Sequence, residues 1–354
     1  MTGRERALRA LSMQDVDYPP AWAPVICNTR SVEEIVGSDG IWTNPAQAYL
    51  AAFRALGVDF INQFIPYRPG EFESRTGVVD HRLTPLEPED VAAQMTARLP
   101  GLQRQLRQMD ERAIGEQFAE KALAGQATLG GDALWVQYDG AFSIPTMSYG
   151  ELGYDNYFVF LATFPEVQEE VWSLQADVSA RYNRAIAAAM ERHGLPRVVR
   201  LDHDMTDNRG SIVRIETMDR YYFPHFKRAI APFVDAGVRL VWHSDGNIND
   251  FIPRLIDAGV NGFQGFQEEH GVDFAALCQA RDRGGDPLMI WGSVSVTTVL
   301  PRCTPDEVRA DVRRCWRTAP DRGYVLGATS SICPDVPTEN IIAMFDEHTK
   351  CRYG

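Results

Sequence analysis

"VRLVWHSDGNINDFIPRLIDAGVNGFQGF", residues 238–266, carries the pattern on which the fold turns. It opens as a short apolar run, "VRLVWH", then changes at His243 to the polar string His243, Ser244, Asp245, Gly246 and Asn247. An amphipathic stretch, "DFIPRLIDA" (250–258), follows, and after Ala258–Gly259 the chain enters a second apolar run. Strand, polar turn, helix closed by a glycine and new strand make up the repeating unit of a parallel sheet covered by helices. The same "AG" stop stands at Ala236–Gly237, just ahead of Val238.

Working outward, runs of the same kind recur at "AWAPVIC" (21–27), "VDFINQF" (58–64), "ALWVQYD" (133–139), "RVVRLD" (197–202), "VNGFQGF" (260–266), "LMIWGS" (288–293) and "YVLGAT" (324–329). With "VRLVWH" they make eight. Amphipathic segments at 165–192, 219–236, 250–258, 305–318 and 337–347 alternate with the later runs. Eight such units in 354 residues predict an α/β fold of the (β/α)8 TIM-barrel type, forming one domain over 1–354. No GxGxxG follows any strand, which argues against a dinucleotide-binding sheet. Thr2 and Glu5 form a capping-box pattern that starts an N-terminal helix, expected as an outer cover. The segment around 66–130, polar and carrying Pro66, Pro69, Pro85 and Pro88, is expected to be a lid or an elaboration inserted into the barrel.

Composition narrows the function classes. The chain has 35 basic and 48 acidic residues, a net charge of −13, and a hydrophobic fraction of 45%. That charge disfavours nucleic acid as a partner, since phosphate neutralisation needs clustered cations. No stretch approaches the roughly 20 apolar residues of a membrane helix, and the start "MTGRERALRALS" lacks an export signal, so a cytoplasmic protein with no membrane partner is expected. Six cysteines (Cys27, Cys278, Cys303, Cys315, Cys333 and Cys351) show no CxxC spacing, and most of them read as inert thiols.

In a barrel the residues just past the carboxyl ends of the strands line one mouth, and chemistry is sought there. The fourth run ends in Asp202, His203 and Asp204, with Asp207 close behind; the fifth ends in His243 and Asp245; the sixth gives Gln264 and Gln267; the eighth gives Thr329, Ser330 and Ser331. A histidine and a carboxylate two apart can ligate a divalent metal or act as an acid/base pair, so His243 and Asp245 are candidates for both. The bland alternatives are a histidine satisfied at the top of the core and a helix cap. Asp202 and His203 are candidate acid/base partners, against the reading of the acidic triplet as a solvated turn. Gln264 and Gln267 can orient a small-molecule substrate or form a polar strand rim. Trp135 and Tyr138 can wall an apolar substrate or belong to the core, and Ser330 can contact a ligand or end a loop.

The segments "GRERALRAL" (3–11), "VWHSDGNI" (241–248), "LIDAGVNGFQGFQ" (255–267), "IWGSVSVTTVLPRCTPDEVRADVRRC" (290–315) and "GYVLGATSSICPDVPTENIIAMFDE" (323–347) resemble, in that order, the uroporphyrinogen decarboxylase superfamily. The resemblance implies a TIM barrel and one of two activities: decarboxylation of uroporphyrinogen without metal or cofactor, or methyl transfer between a corrinoid and a small acceptor. The decarboxylases carry an arginine-rich segment similar to "RQAGRY"; here "APVICNTRSVEE" (23–34) keeps only Arg30. The zinc-dependent methyltransferases carry His-x-Cys after the fifth strand and a Cys after the eighth. In this chain these become His243-Ser244-Asp245 and Ser330, with Cys333 three positions later. The resemblance therefore favours a methyltransferase or demethylase component, with zinc or another divalent metal at His243 and Asp245, a corrinoid as methyl carrier and a corrinoid protein as partner. The alternatives are a decarboxylase of uroporphyrinogen or a related carboxylated substrate and a non-catalytic ligand- or corrinoid-binding barrel.

Overall fold

The computed structural model describes residues 1–38, 40–76 and 84–351 and is a (β/α)8 barrel. Its strands are β1 Trp22–Ala23, β2 Phe60–Ile61, β3 Leu134–Trp135, β4 Val198–Asp202, β5 Arg239–His243, β6 Gly262–Gln264, β7 Met289–Trp291 and β8 Tyr324–Val325. Each lies inside one of the eight runs read from the sequence. They pair in parallel as two ladders, β1-β2-β3 and β4-β5-β6-β7-β8. The barrel closes between β8 and β1, where Ala21 bridges Leu326 and the Trp22 N–H donates to the Leu326 carbonyl at 2.8 Å. No ladder joins β3 to β4 among the described residues, and side chains span that seam instead.

Strand alternation sorts residues between two cores. Trp22, Phe60, Leu134, Val136, Val198, Val241, Met289, Trp291 and Val325 fill the barrel interior. The intervening Ile61, Val199, Leu201, Leu240, Trp242, Phe263, Ile290 and Tyr324 face the helical layer. Of the aromatic residues in the strands, most are therefore core. Beneath the mouth, Trp291 stacks edge-on against Phe60 at 5.2 Å and closes the barrel to solvent.

The N-terminal helix, Gly3–Leu11, begins as its sequence predicts, with the Thr2 hydroxyl accepting the Glu5 N–H. It is not an outer cover. Ala7 and Leu11 join the interior cluster, while buried Arg6 donates to Asp59 at 2.7 Å ahead of β2. The helix is the floor of the barrel, which leaves the opposite, carboxyl end as the open one.

The segment around 66–130 also departs from the lid expectation, apart from residues 77–83, which lie outside the described ones. Helices Pro88–Thr96, Leu99–Gln108 and Glu111–Leu129 elaborate the outer layer. Val91 and Met95 are fully buried, and Arg181 of the long helix Pro165–His193 pairs with Glu111 at 2.8 Å and donates to the Leu106 carbonyl at 2.6 Å. Among the described residues no helix is long and apolar enough to cross a membrane.

Gly262 marks the tightest interior contact on β6, since a Cβ there would lie 2.4 Å from the Met289 carbonyl oxygen. A backbone cannot give way as a side-chain tip can. Gly262→Ala is expected to destabilise the barrel by about 1–3 kcal/mol, the usual cost of overpacking. Urea unfolding should show the midpoint falling at unchanged slope; an unaltered midpoint would contradict this packing.

Candidate active site

The register of the five-stranded ladder sets the site. Asp202 of β4 stands beside His243 of β5, His243 beside Gln264 of β6, and Gln264 beside Trp291 of β7. Because alternation places Val198 and Val241 in the interior, residues two and four further along share that orientation. Arg200, Asp202, His243 and Gln264 therefore all rise into the mouth above the apolar plug.

Arg200 had no place in the sequence expectations, yet it organises the others. It is 5% exposed and donates to Asp202 Oδ2 at 2.7 Å, to Gln264 Oε1 at 2.7 Å and to Gln63 Oε1 at 3.3 Å. Its guanidinium lies 4.8 Å from the centre of the Tyr138 ring, and the Tyr138 hydroxyl donates to the same Asp202 oxygen at 2.9 Å. Burial and the Asp202 charge push the Tyr138 hydroxyl up to about 12, so it remains a donor. These contacts bridge the seam between β3 and β4. The signal for Arg200 was present in "VVRLD", where it alternates with Val198 and Asp202 on the interior face.

His243 is 7% exposed, and its Nδ1 is buried without a hydrogen-bond partner among the described residues. Gly265 makes room for the ring: it takes φ +87°, and a Cβ there would fall 2.3 Å from Nδ1. Asp202, Asp204 and His243 each offer one ligand atom, all within 4.8 Å of one another. Asp204 was placed at the mouth by the sequence but given no role there. Two residues past Asp202, it is exposed, and its carboxylate accepts the Asp245 N–H at 3.0 Å.

Asp245 lies beside this group. Its Oδ1 is buried and unpartnered among the described residues, and its Oδ2 receives only a long bond, 3.4 Å, from the Ser330 hydroxyl. Burial pushes the carboxyl up, with Asp204 and Asp202 adding to the effect and His243 and Ser330 opposing it. Ser330 thus reaches the cluster through Asp245.

Other expected site residues are spent on the scaffold. Gln264 accepts from Arg200 and donates to the Thr329 carbonyl at 2.7 Å. Gln267 accepts the Gly246 N–H at 2.6 Å and donates to Glu269 at 3.2 Å. In each glutamine both ends of the amide are engaged by the protein, which fixes its orientation at the rim. Trp135 is on the outer face of β3, where its ring fills the space beside Gly125 of the helix Glu111–Leu129. Asp207 caps its own turn through the Arg209 and Gly210 N–H groups, as the solvated-turn reading has it.

His203 also serves structure. Its Nε2 accepts the Met147 N–H at 3.0 Å, its ring stacks on Tyr149, and burial drives its pKa down to about 4. The ring is thus held neutral, with Nε2 accepting from backbone. His203→Ala should cost about 1–3 kcal/mol by orphaning that N–H, and His203→Gln, which retains an acceptor, distinctly less. Equal losses in chemical denaturation would show that the acceptor is irrelevant.

The profile of the family described as Uroporphyrinogen decarboxylase (URO-D) matches residues 132–351. No curated protein matches the chain. A solved structure of a methyltransferase from Methanosarcina mazei is similar over 99% of this chain and 99% of its own, at 18% identity and a TM-score of 0.63, a likeness of fold. A B12-independent methionine synthase from Shewanella sp. W3-18-1, solved with selenomethionine, is similar over 66% of this chain and 67% of its own, at 16% identity and a TM-score of 0.40. Since the matched stretch takes in more than half of the chain, from β3 to the C-terminal helix, the protein belongs to the uroporphyrinogen decarboxylase family.

Proposed function

We propose that the protein is a cytoplasmic methyltransferase or demethylase component that moves a methyl group between a corrinoid, carried on a partner protein, and a small acceptor bound at the β4–β5 rim. The observation that carries this reading is the convergence of Asp202, Asp204 and His243 within 4.8 Å, in a barrel shaped like that of a methyltransferase.

A divalent cation fits this donor set. Two carboxylates and an imidazole suit zinc, manganese or magnesium, and an orphaned His243 nitrogen is explained by a ligand to it. Asp202, Asp204 and His243 would hold the ion, rather than the expected pair of His243 and Asp245. Bound there, it would acidify an acceptor hydroxyl or thiol. The residues themselves do the rest. Arg200 and Tyr138 fix Asp202 through one oxygen, Gly265 leaves room for the His243 ring, and Asp245 offers a sheltered oxygen, Oδ1, to receive the acceptor's proton. Trp291 and Phe60 exclude water from below.

The decarboxylase alternative is less well supported, because a substrate with many carboxylates needs free cations. Arg30 is a surface residue paired with Glu34 at 2.7 Å, and Arg200 is already committed to Asp202.

The test is anaerobic purification with metal analysis, followed by titration with methylcobalamin and candidate thiols, read by corrinoid absorbance. Stoichiometric metal and demethylation are expected, and removal of metal by a chelator should abolish turnover. His243→Ala should lower metal affinity and turnover at least about a hundredfold with the fold intact. Normal activity in that variant would refute the assignment, as would carbon dioxide release from a porphyrinogen by a metal-free protein.

A further inference from the structure

The barrel closes twice between its last and first strands. Beyond the β8–β1 contact, Ile26 bridges Ile332 in parallel: the Ile332 N–H donates to the Val25 carbonyl and the Cys27 N–H to the Ile332 carbonyl, both at 2.8 Å. In a parallel ladder the next residue on each side, here Cys27 and Cys333, faces its counterpart about 4.8 Å away with side chains on one surface. That separation lies inside the roughly 4.4–6.8 Å between Cα atoms that a disulfide accepts without backbone movement. Both loops are held in place: the Tyr49 hydroxyl donates to the Ile26 carbonyl, the Asn28 amide donates to the Val336 carbonyl, and Pro334 keeps Cys333 extended. The two thiols are free and in hydrogen-bond contact, with Cys27 buried and Cys333 partly open to solvent.

We propose that Cys27 and Cys333 form a redox modification site on the rim of the barrel, oxidised by hydroperoxides to a reversible disulfide. The open Cys333 sulfur attacks the outer peroxide oxygen: an S–O bond forms, the O–O bond breaks, and the alkoxide or hydroxide leaves, taking up a proton as alcohol or water. The Cys333 sulfur is then a sulfenic acid, oxidised by two electrons. The Cys27 sulfur attacks it, the S–S bond forms, and the S–O bond breaks with loss of water, the proton coming from the Cys27 thiol. In sum, two thiols and one hydroperoxide give one disulfide, one alcohol or water, and one further water. A dithiol reverses the change by exchange. The roles follow from the contact: the Cys27 S–H donates to the Cys333 sulfur, which holds Cys333 down at about 7 and drives Cys27 up. The remaining partly exposed thiols differ. Burial and neighbouring carboxylates push both Cys303 and Cys351 up. Oxidation would also be felt at the candidate active site, since the Cys333 charge acts on Asp245, and Ser330 of the same loop donates to it.

The site stands independently of the methyl-transfer reading and is tested on the reduced full-length protein. After equimolar hydrogen peroxide and alkylation, peptide mapping should show a Cys27–Cys333 cross-link that dithiothreitol removes, with Cys278, Cys303, Cys315 and Cys351 alkylated. Cys27→Ser should accumulate a dimedone-trappable sulfenic acid on Cys333, and Cys333→Ser should leave Cys27 reduced. At pH 7, Cys333 should react at least about tenfold faster than Cys303, in line with its larger thiolate fraction. The absence of the cross-link in the wild-type map, or oxidation of Cys303 or Cys351 at the rate of Cys333, would overturn the proposal.

Discussion

An arginine inside a barrel is the constraint from which the mouth of this protein follows. Removing a guanidinium from water costs several kcal/mol unless its charge and donors are met. Arg200 meets them with Asp202, Gln264 and Gln63, and with the face of Tyr138. Each partner is then fixed for a reason unrelated to substrate. Asp202 is held by one oxygen, Gln264 is turned so that its amide nitrogen reaches Thr329 after β8, and Tyr138 is drawn across from β3. One buried cation thereby couples four parts of the rim and stands in for the backbone ladder missing between β3 and β4 among the described residues.

That arrangement divides the polar residues of the mouth into supports and free ends. Arg200, Gln264, Gln267 and Tyr138 are each oriented by hydrogen bonds to other parts of the protein. His243 Nδ1 and Asp245 Oδ1 have no such partner among the described residues, although both atoms are buried. Unmet buried polar atoms are costly, and a fold retains them where something else is to be bound or moved. The two open atoms belong to residues two apart at the end of β5, next to Asp202 and Asp204 at the end of β4.

Much of this was legible in the amino-acid sequence because a strand has a period of two. All eight strands fall within the runs marked by β-rich, apolar residues, and the same alternation carries Asp202 and His243 into one cavity. Applied more strictly it would also have found Arg200 and excluded Trp135, which lies between interior Leu134 and Val136. The rest was illegible for physical reasons. Gln264 and Gln267 are satisfied by the Thr329 carbonyl and the Gly246 N–H, backbone groups that only the folded chain brings near. His203 is taken by the Met147 N–H in the same way. The N-terminal helix has the amphipathicity of a surface helix, and its role as a floor follows from the folded positions of Ala7 and Leu11 in the interior and of the Arg6–Asp59 pair.

The rim also separates two kinds of donor by strand register. Oxygen and imidazole donors gather at the ends of β4 and β5, where Asp245 faces Ser330, and oxygen is the hard partner of divalent cations. Sulfur gathers at the second closure of β8 on β1, where the next ladder position sets Cys27 against Cys333. Two residues, Ser331 and Ile332, separate Ser330 from Cys333, enough to move a side chain from the mouth to the closure seam. A soft sulfur within the electrostatic reach of Asp245, but held against another sulfur, is available for oxidation and withheld from the cluster of carboxylates. The chemistry open to each part of the rim is thus decided by which neighbour the ladder supplies, before any ligand arrives.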